Sequence, residues 1–191
     1  MTSPVLERKC IDRVPETNSN TLMSSLILGV DPGSRITGFG LIRVARGGQL
    51  EHVSHGVIMM DVDAGFPQRM MQLGSAFQEI MQKYHPTHVV IEKIFLGKNA
   101  DSAFKLGHAR GVVMYEAVRG GAEVFEYATR LVKKGVTGSG GASKEQVQAV
   151  LKALLRLSKI ERLDASDALA MACHHAYEAQ KKQLVRGALE L

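Results

Sequence analysis

The sequence predicts an α/β fold in which a five-stranded mixed sheet, three antiparallel strands followed by parallel ones, is flanked by helices. Between Ser25 and Met60 three β-rich stretches follow one another through short turns, the pattern of an antiparallel meander. Beyond Phe66 helical and strand periodicities alternate, which calls for parallel strands joined by crossover helices. Size agrees: 191 residues, 45% hydrophobic and 23% charged, suit a single core.

The elements follow in order. Residues 1–23 are polar and aperiodic, with an Asn/Ser/Thr cluster, and read as a disordered leader. The folded domain is expected over 24–182, and 183–191 as a tail. Leu26 to Val30 is a short apolar run ended by Asp31-Pro32-Gly33, a turn in which Pro fixes φ and Gly permits positive φ. Thr37 to Val44 and Leu50 to Met60 are two further strands, joined by a hairpin at Arg46-Gly47-Gly48. Phe66, Met70, Leu73, Phe77, Ile80, Met81 and Tyr84 recur at spacings of three and four, so a helix runs there and closes at Pro86. Thr87 to Glu92 is a buried-type strand ending on a carboxylate. A helix capped by Asn99 continues to Arg119 before Gly120-Gly121, and Glu123 to Tyr127 makes the fifth strand. A short helix over Thr129 to Lys134 precedes a glycine-rich loop, 135–141. Ser143 with Gln146 forms a capping box for a helix from Lys144 to about Leu157, and a last helix runs from near Asp164 to about Lys182.

Composition excludes several classes. No apolar run approaches the ~20 residues that span a bilayer, and the N-terminus lacks the basic-then-apolar order of a signal peptide. The expected location is the cytoplasm, with no membrane partner. Cys10 and Cys173 are too far apart in sequence to suggest a metal motif and are read as reduced thiols. The formal charge of +5 is unevenly placed. In the leader three basic and three acidic residues cancel, whereas from Lys93 to Ile160 twelve Lys or Arg stand against five acids, a net +7. A basic segment of that kind suits an anionic partner, although most single lysines serve only to solvate a helix face.

Four carboxylates stand where a site could form. Asp31 ends the first strand, Glu92 ends the fourth, and Asp164 and Asp167 open the last helix three residues apart, on one face. In open α/β sheets the crevice beyond the strand ends is the usual ligand site. Each acid also has a plain structural use: Asp31 as a turn former, Asp164 and Asp167 as helix-start residues. Glu92, a charge directly after Val-Val-Ile, is harder to explain that way. Were the three places to converge, the acids would repel one another unless a cation lay among them. An all-oxygen set suits Mg²⁺ or Mn²⁺, and two such ions can activate water and stabilise the leaving oxygen of a phosphodiester.

Four ordered motifs are recognisable: Leu28 to Gly40 (LGVDPGSRITGFG), Glu92 to Ala103 around EKIF and KNADSA, Lys105 to Gly111 (KLGHARG), and Asp164 to Ala170 (DASDALA). Together they resemble the RuvC family of Holliday-junction resolvases, over about Ser25 to Ala176. The resemblance implies a ribonuclease H-like fold and a catalytic, metal-binding set of Asp31, Glu92, Asp164 and Asp167, holding Mg²⁺, or Mn²⁺ in its place, as two ions per active site. It also implies DNA contacts by Phe95, Lys98, Lys133 and Lys144: the lysines beside the glycine-rich loop on phosphate, and Phe95 stacking on an unpaired base unless it is a core residue. Paired nicks in a four-way junction imply a homodimer, and the family implies cooperation with the RuvA–RuvB branch-migration complex. Lys93 and His108 depart from the family pattern, where Gln is common at both places.

Lesser readings complete the picture. Gly107 and Gly111, four apart on a helix, would let another helix approach, in a dimer or within the chain. His174 and His175 read as surface or packing histidines. Two other functions compete: a nuclease of RNA–DNA hybrids on the same fold, and a sugar-kinase or actin-like ATPase, since Gly29 to Gly33 followed by Thr37-Gly38 resembles a phosphate-binding hairpin.

Overall fold

The computed structural model describes residues 25–93 and 100–189. The leader, Asn99, and the expected DNA contacts Phe95 and Lys98 lie outside the described residues. Strands β1 (Leu26–Asp31), β2 (Ile36–Val44) and β3 (Leu50–Met59) form the meander. Helix α1 (Phe66–Tyr84), strand β4 (His88–Glu92), helix α2 (Ala100–Arg119) and strand β5 (Glu123–Tyr127) follow, then α3 (Thr129–Thr137), α4 (Lys144–Leu154) and α5 (Leu163–Leu189). The sheet order is β3-β2-β1-β4-β5, with β1 antiparallel to β2 and parallel to β4. The predicted five-stranded mixed sheet is therefore present, and β1 is the strand at which direction changes.

Strand periodicity sorts the core into two layers, because successive side chains point to opposite faces. Leu28, Val30, Leu41, Val89 and Ile91 face α1 and α2, packing with Leu73, Phe77 and Val113. Ile27, Ile42, Val57 and Val90 face the other way and pack with Val132, Val147, Leu151 and Leu169 of α3, α4 and α5. Asp31 and Glu92 share the parity of Ile27 and Val90, which puts both acids on the α5 side.

The sheet meets α5 at unusually short range. A Cβ at Gly29 would lie 1.9 Å from the Ala168 carbonyl oxygen, and one at Gly38 would lie 2.1 Å from that of Asp164. Only residues without a side chain allow this approach. The helix answers with its own small residues: Ala165, Ala168, Ala172 and Ala176 are all buried.

Element ends differ from expectation at four helices. Helix α1 stops before Pro86, at His85, whose left-handed backbone (φ 47°) returns its N–H to the Met81 carbonyl. Helix α3 extends to Thr137, whose hydroxyl donates to the Lys133 carbonyl, and Gly138 closes it at φ 80°. Helix α4 ends at Leu154 and the chain turns at Arg156 (φ 54°), while α5 continues to Leu189 through the segment expected as a tail. The Ser143–Gln146 capping box is formed in both directions, at 3.2 and 2.8 Å.

Candidate active site

The acids come together because of register and of the glycine contacts. Val30 lies opposite Ile91 across the parallel β1–β4 pair, so one residue later Asp31 and Glu92 emerge side by side at the C-terminal strand ends. From here the chain passes from β1 to β2 on one side, while β5 lies beyond β4 on the other, and the ends of adjacent parallel strands are where open α/β sheets bind ligands. Gly38, paired with Asp31 on β2, seats the first turn of α5 directly on the sheet through Asp164. The same turn presents Asp164 and Asp167. The turn after β1 is held from within by the buried Thr37: its hydroxyl donates to the Gly33 carbonyl and accepts the Gly33 N–H, both at 3.1 Å.

The convergence has an electrostatic consequence. Asp31 is pushed up to about 7, first by burial and then by the charges of Asp167, Glu92 and Asp164, with Lys144 acting the other way. A carboxyl so raised feels three like charges and too few counter-charges.

Each remaining acid leans on a donor of its own. Lys144, the first residue of α4, bonds Asp167 at 2.6 Å, and this bond is the main cause raising the ammonium above its ordinary range. Arg162 stands 3.7 Å from Asp164. The Thr129 hydroxyl donates to Glu92 Oε1, and the Arg110 Nε–H donates to the Glu92 carbonyl at 3.3 Å. As the side chains are oriented, no three acidic, histidine or cysteine residues among the described ones stand close enough together to hold a metal ion.

The other predicted residues fall as follows. Lys133 turns its ammonium to the Ala142 carbonyl (2.9 Å) and ties α3 to the end of the glycine-rich loop. Lys93 is exposed, with its N–H on the Tyr127 carbonyl (2.8 Å). His108 lies on the far side, in the groove between α1 and α2, edge-on to Phe66. Its departure from the family pattern therefore bears on that groove and not on the acids. His174 and His175 are both buried, so the packing reading holds and the surface one does not. His175 bonds the Tyr127 hydroxyl (2.9 Å) and His88 (3.2 Å), and burial with neighbouring positive groups pushes it down to about 4. The Cys173 thiol is buried and pushed up to about 12 by burial, which leaves it inert. Thr129, Arg110 and Arg162 were not singled out in the sequence; an exposed threonine at a helix start carries no local signal of what it touches.

A cleft of about 900 Å³ leads away from Glu92's neighbour Thr129, lined also by Arg130, Lys134, Gly138, Ser139 and Gly140. The basic stretch of the sequence thus borders the acids. No helix among the described residues is long and apolar enough to cross a membrane.

Sheet order and flanking helices define the ribonuclease H-like class of resolvases and nucleases. The model of the family "Crossover junction endodeoxyribonuclease RuvC" matches residues 27–175. The chain belongs to the RuvC family of Holliday-junction endonucleases. It is 72% identical over 169 residues to the crossover junction endodeoxyribonuclease RuvC of Bdellovibrio bacteriovorus, covering 88% of this chain and 100% of that one. Among solved structures it resembles RuvC of Thermus thermophilus (TM-score 0.75, 28% identity, 82% of this chain and 96% of that one). The same Thermus protein in complex with Holliday junction substrate matches at TM-score 0.74 and 25% identity, covering 82% of this chain and 96% of that one. The ATPase and hybrid-nuclease readings give way to this assignment.

Proposed function

We propose that this endonuclease resolves four-way DNA junctions by paired nicks, using Asp31, Glu92, Asp164 and Asp167 to hold Mg²⁺. The observation that carries the site is Asp31: a carboxyl half-buried beside three others, raised to about 7 by burial and their charge. An all-oxygen, strongly negative set of this kind fits hard divalent cations, Mg²⁺ or Mn²⁺, and the four acids would hold two of them per active site. When bound, such ions supply Lewis acidity and a water activated at neutral pH.

The chain's own residues do the rest. Asp31 and Glu92 come from rigid strand ends, and Asp164 and Asp167 from a helix clamped by glycine, so the ligand backbones are set before substrate arrives. Lys144 neutralises Asp167 in the resting protein and is placed to move its charge to the scissile phosphate on binding. Lys133, on α3, holds the end of the glycine-rich loop and contacts the DNA backbone beside it. Arg130 and Lys134 line the path for the strand. Phe95 and Lys98, three and six residues after Glu92, act on the junction as the family resemblance implies.

A second, symmetric nick requires a second copy of the site, and the face between α1 and α2 supports a homodimer. It is a groove of about 850 Å³ with Met71, Phe104 and Tyr115 more than half exposed. Gly107 and Gly111 on its floor have open space where a Cβ would stand. The proposed cellular setting is the cytoplasm, with the RuvA–RuvB complex as partner.

The test uses a labelled synthetic four-way junction, with and without Mg²⁺, beside linear duplex and an RNA–DNA hybrid. Symmetric, Mg²⁺-dependent nicks confined to the junction are expected. Equal cutting of linear duplex contradicts the proposal, as does full cutting by Asp164→Asn.

A further inference from the structure

We infer that Thr129 is a positioning residue: by donating to one carboxylate oxygen of Glu92, its hydroxyl restricts the side chain's rotamers and leaves the other oxygen for the metal. The inference rests on the reading of Glu92 as a metal ligand.

The main chain at Glu92 is already immobile. Glu92 is paired with Tyr127 across β4–β5, and the following N–H, that of Lys93, donates to the Tyr127 carbonyl at 2.8 Å. On the other side Arg110 donates to the Glu92 carbonyl at 3.3 Å while pairing with Glu126 of β5. What stays free is the side chain, and glutamate has one more torsion than the three aspartates around it. A carboxylate on that longer arm needs an outside contact to hold one orientation.

Thr129 supplies that contact, donating to Glu92 Oε1. A carboxylate has two oxygens, so Oε2 keeps its lone pairs for a cation. The donor is neutral, and this separates Glu92 from Asp167, whose partner Lys144 cancels its charge. Thr129 is also the first residue of α3, and the N-cap residue Ala128 has no side-chain cap bond. The helix start is therefore free to favour a negative group beside it. Helix α3 is itself seated firmly, since a Cβ at Gly135 would lie 2.1 Å from His174 Nδ1. The hydroxyl thus sits on a fixed support and reaches a fixed strand end.

The experiment compares Thr129→Val, which keeps the shape and removes the hydroxyl, with Thr129→Ser, which keeps the hydroxyl, and with Glu92→Gln. Full-length protein is assayed for cleavage of a saturating four-way junction, for junction binding in EDTA, for Mn²⁺ affinity by titration calorimetry without DNA, and for thermal midpoint. Thr129→Val is expected to cleave about 3- to 10-fold more slowly, the worth of one hydrogen bond, and to bind Mn²⁺ more weakly by a similar factor. Its junction binding and thermal midpoint stay at the wild-type level, and Thr129→Ser stays within about twofold of wild type in every readout. Wild-type cleavage or wild-type Mn²⁺ affinity in Thr129→Val overturns the inference, and so does an equal loss in Thr129→Ser or a loss that tracks a lowered thermal midpoint. Glu92→Gln separates the two levels. If it still cleaves, the ligand reading fails and takes Thr129 with it; if it is dead while Thr129→Val is normal, the positioning role alone fails.

Discussion

On its α5 face the sheet meets a helix backbone to backbone, at Gly29, Gly38 and Gly40. On the other face it meets α1 and α2 through Leu28, Val30, Leu41, Val89 and Ile91, whose side chains interleave with Leu73 and Phe77. Side-chain packing has slack, because neighbouring rotamers can share a displacement. A carbonyl resting on an α-carbon has none. The acids lie on the face without slack, where a shift of an ångström would separate Asp164 and Asp167 from Asp31. The face with slack carries the exposed groove proposed for a second copy, where the surface need only be complementary.

The largest effect should come from adding one methyl group to the rigid face. Gly38→Ala puts a Cβ 2.1 Å from the Asp164 carbonyl oxygen and forces α5 off the sheet. We expect a loss of at least about 4 kcal/mol in urea unfolding, or failure to fold, and no measurable cleavage. A variant that folds and cuts normally would show that the glycine contact does not set the site.

An intermediate effect should follow from removing charge without moving backbone. Asp31→Asn should abolish cleavage, keep junction binding and change the pH profile of stability in metal-free buffer. A carboxyl raised from 3.8 to about 7 gives the fold a contribution that is whole below 3.8 and lost as pH rises to about 7. A histidine lowered from 6.5 to about 4, as His175 is, does the reverse: its contribution is whole above 6.5 and lost as pH falls towards 4. Between pH 7 and pH 5 the two oppose each other in the wild-type protein. With Asp31 neutral, stability should fall by roughly 2 kcal/mol over that range, read from urea midpoints. Parallel profiles for the two proteins would mean that burial and the neighbouring acids do not raise Asp31.

The smallest effects on the fold belong to the other face. Gly107→Ala meets no atom within 4 Å, so the substitution that wrecks the fold at Gly38 should here stabilise α2 by about 0.5–1 kcal/mol in dilute protein. Tyr115→Glu, at a ring 65% exposed, should change unfolding by less than about 0.5 kcal/mol while shifting the oligomer to monomer in analytical ultracentrifugation. A dimer unaffected by that charge would move the interface elsewhere.

Much of this was legible in one dimension. Strand parity puts Asp31 on the face of Ile27 and Glu92 on the face of Val90, each within its own strand, and a spacing of three puts Asp164 and Asp167 on one face of their helix. Turn chemistry at Asp31-Pro32-Gly33 and the Ser143–Gln146 box mark element starts because a turn or cap is made by residues adjacent in the chain. The helix ends were less legible: α3 runs through Gly135 and closes only at Gly138, and α5 runs through Gly187 to Leu189.

Tertiary structure alone decided which donors Glu92 and Asp167 meet. Thr129 reaches Glu92 across 37 positions of sequence, and Lys144 reaches Asp167 across 23. It also decided that His175 is a buried member of a Tyr127–His88 chain and that Gly38 bears on Asp164. The physical reason is that periodicity and capping are local, so residue order specifies them. Partner choice at a site depends on which strand ends are adjacent and how closely a helix can rest on them, and those distances exist only after the chain has packed.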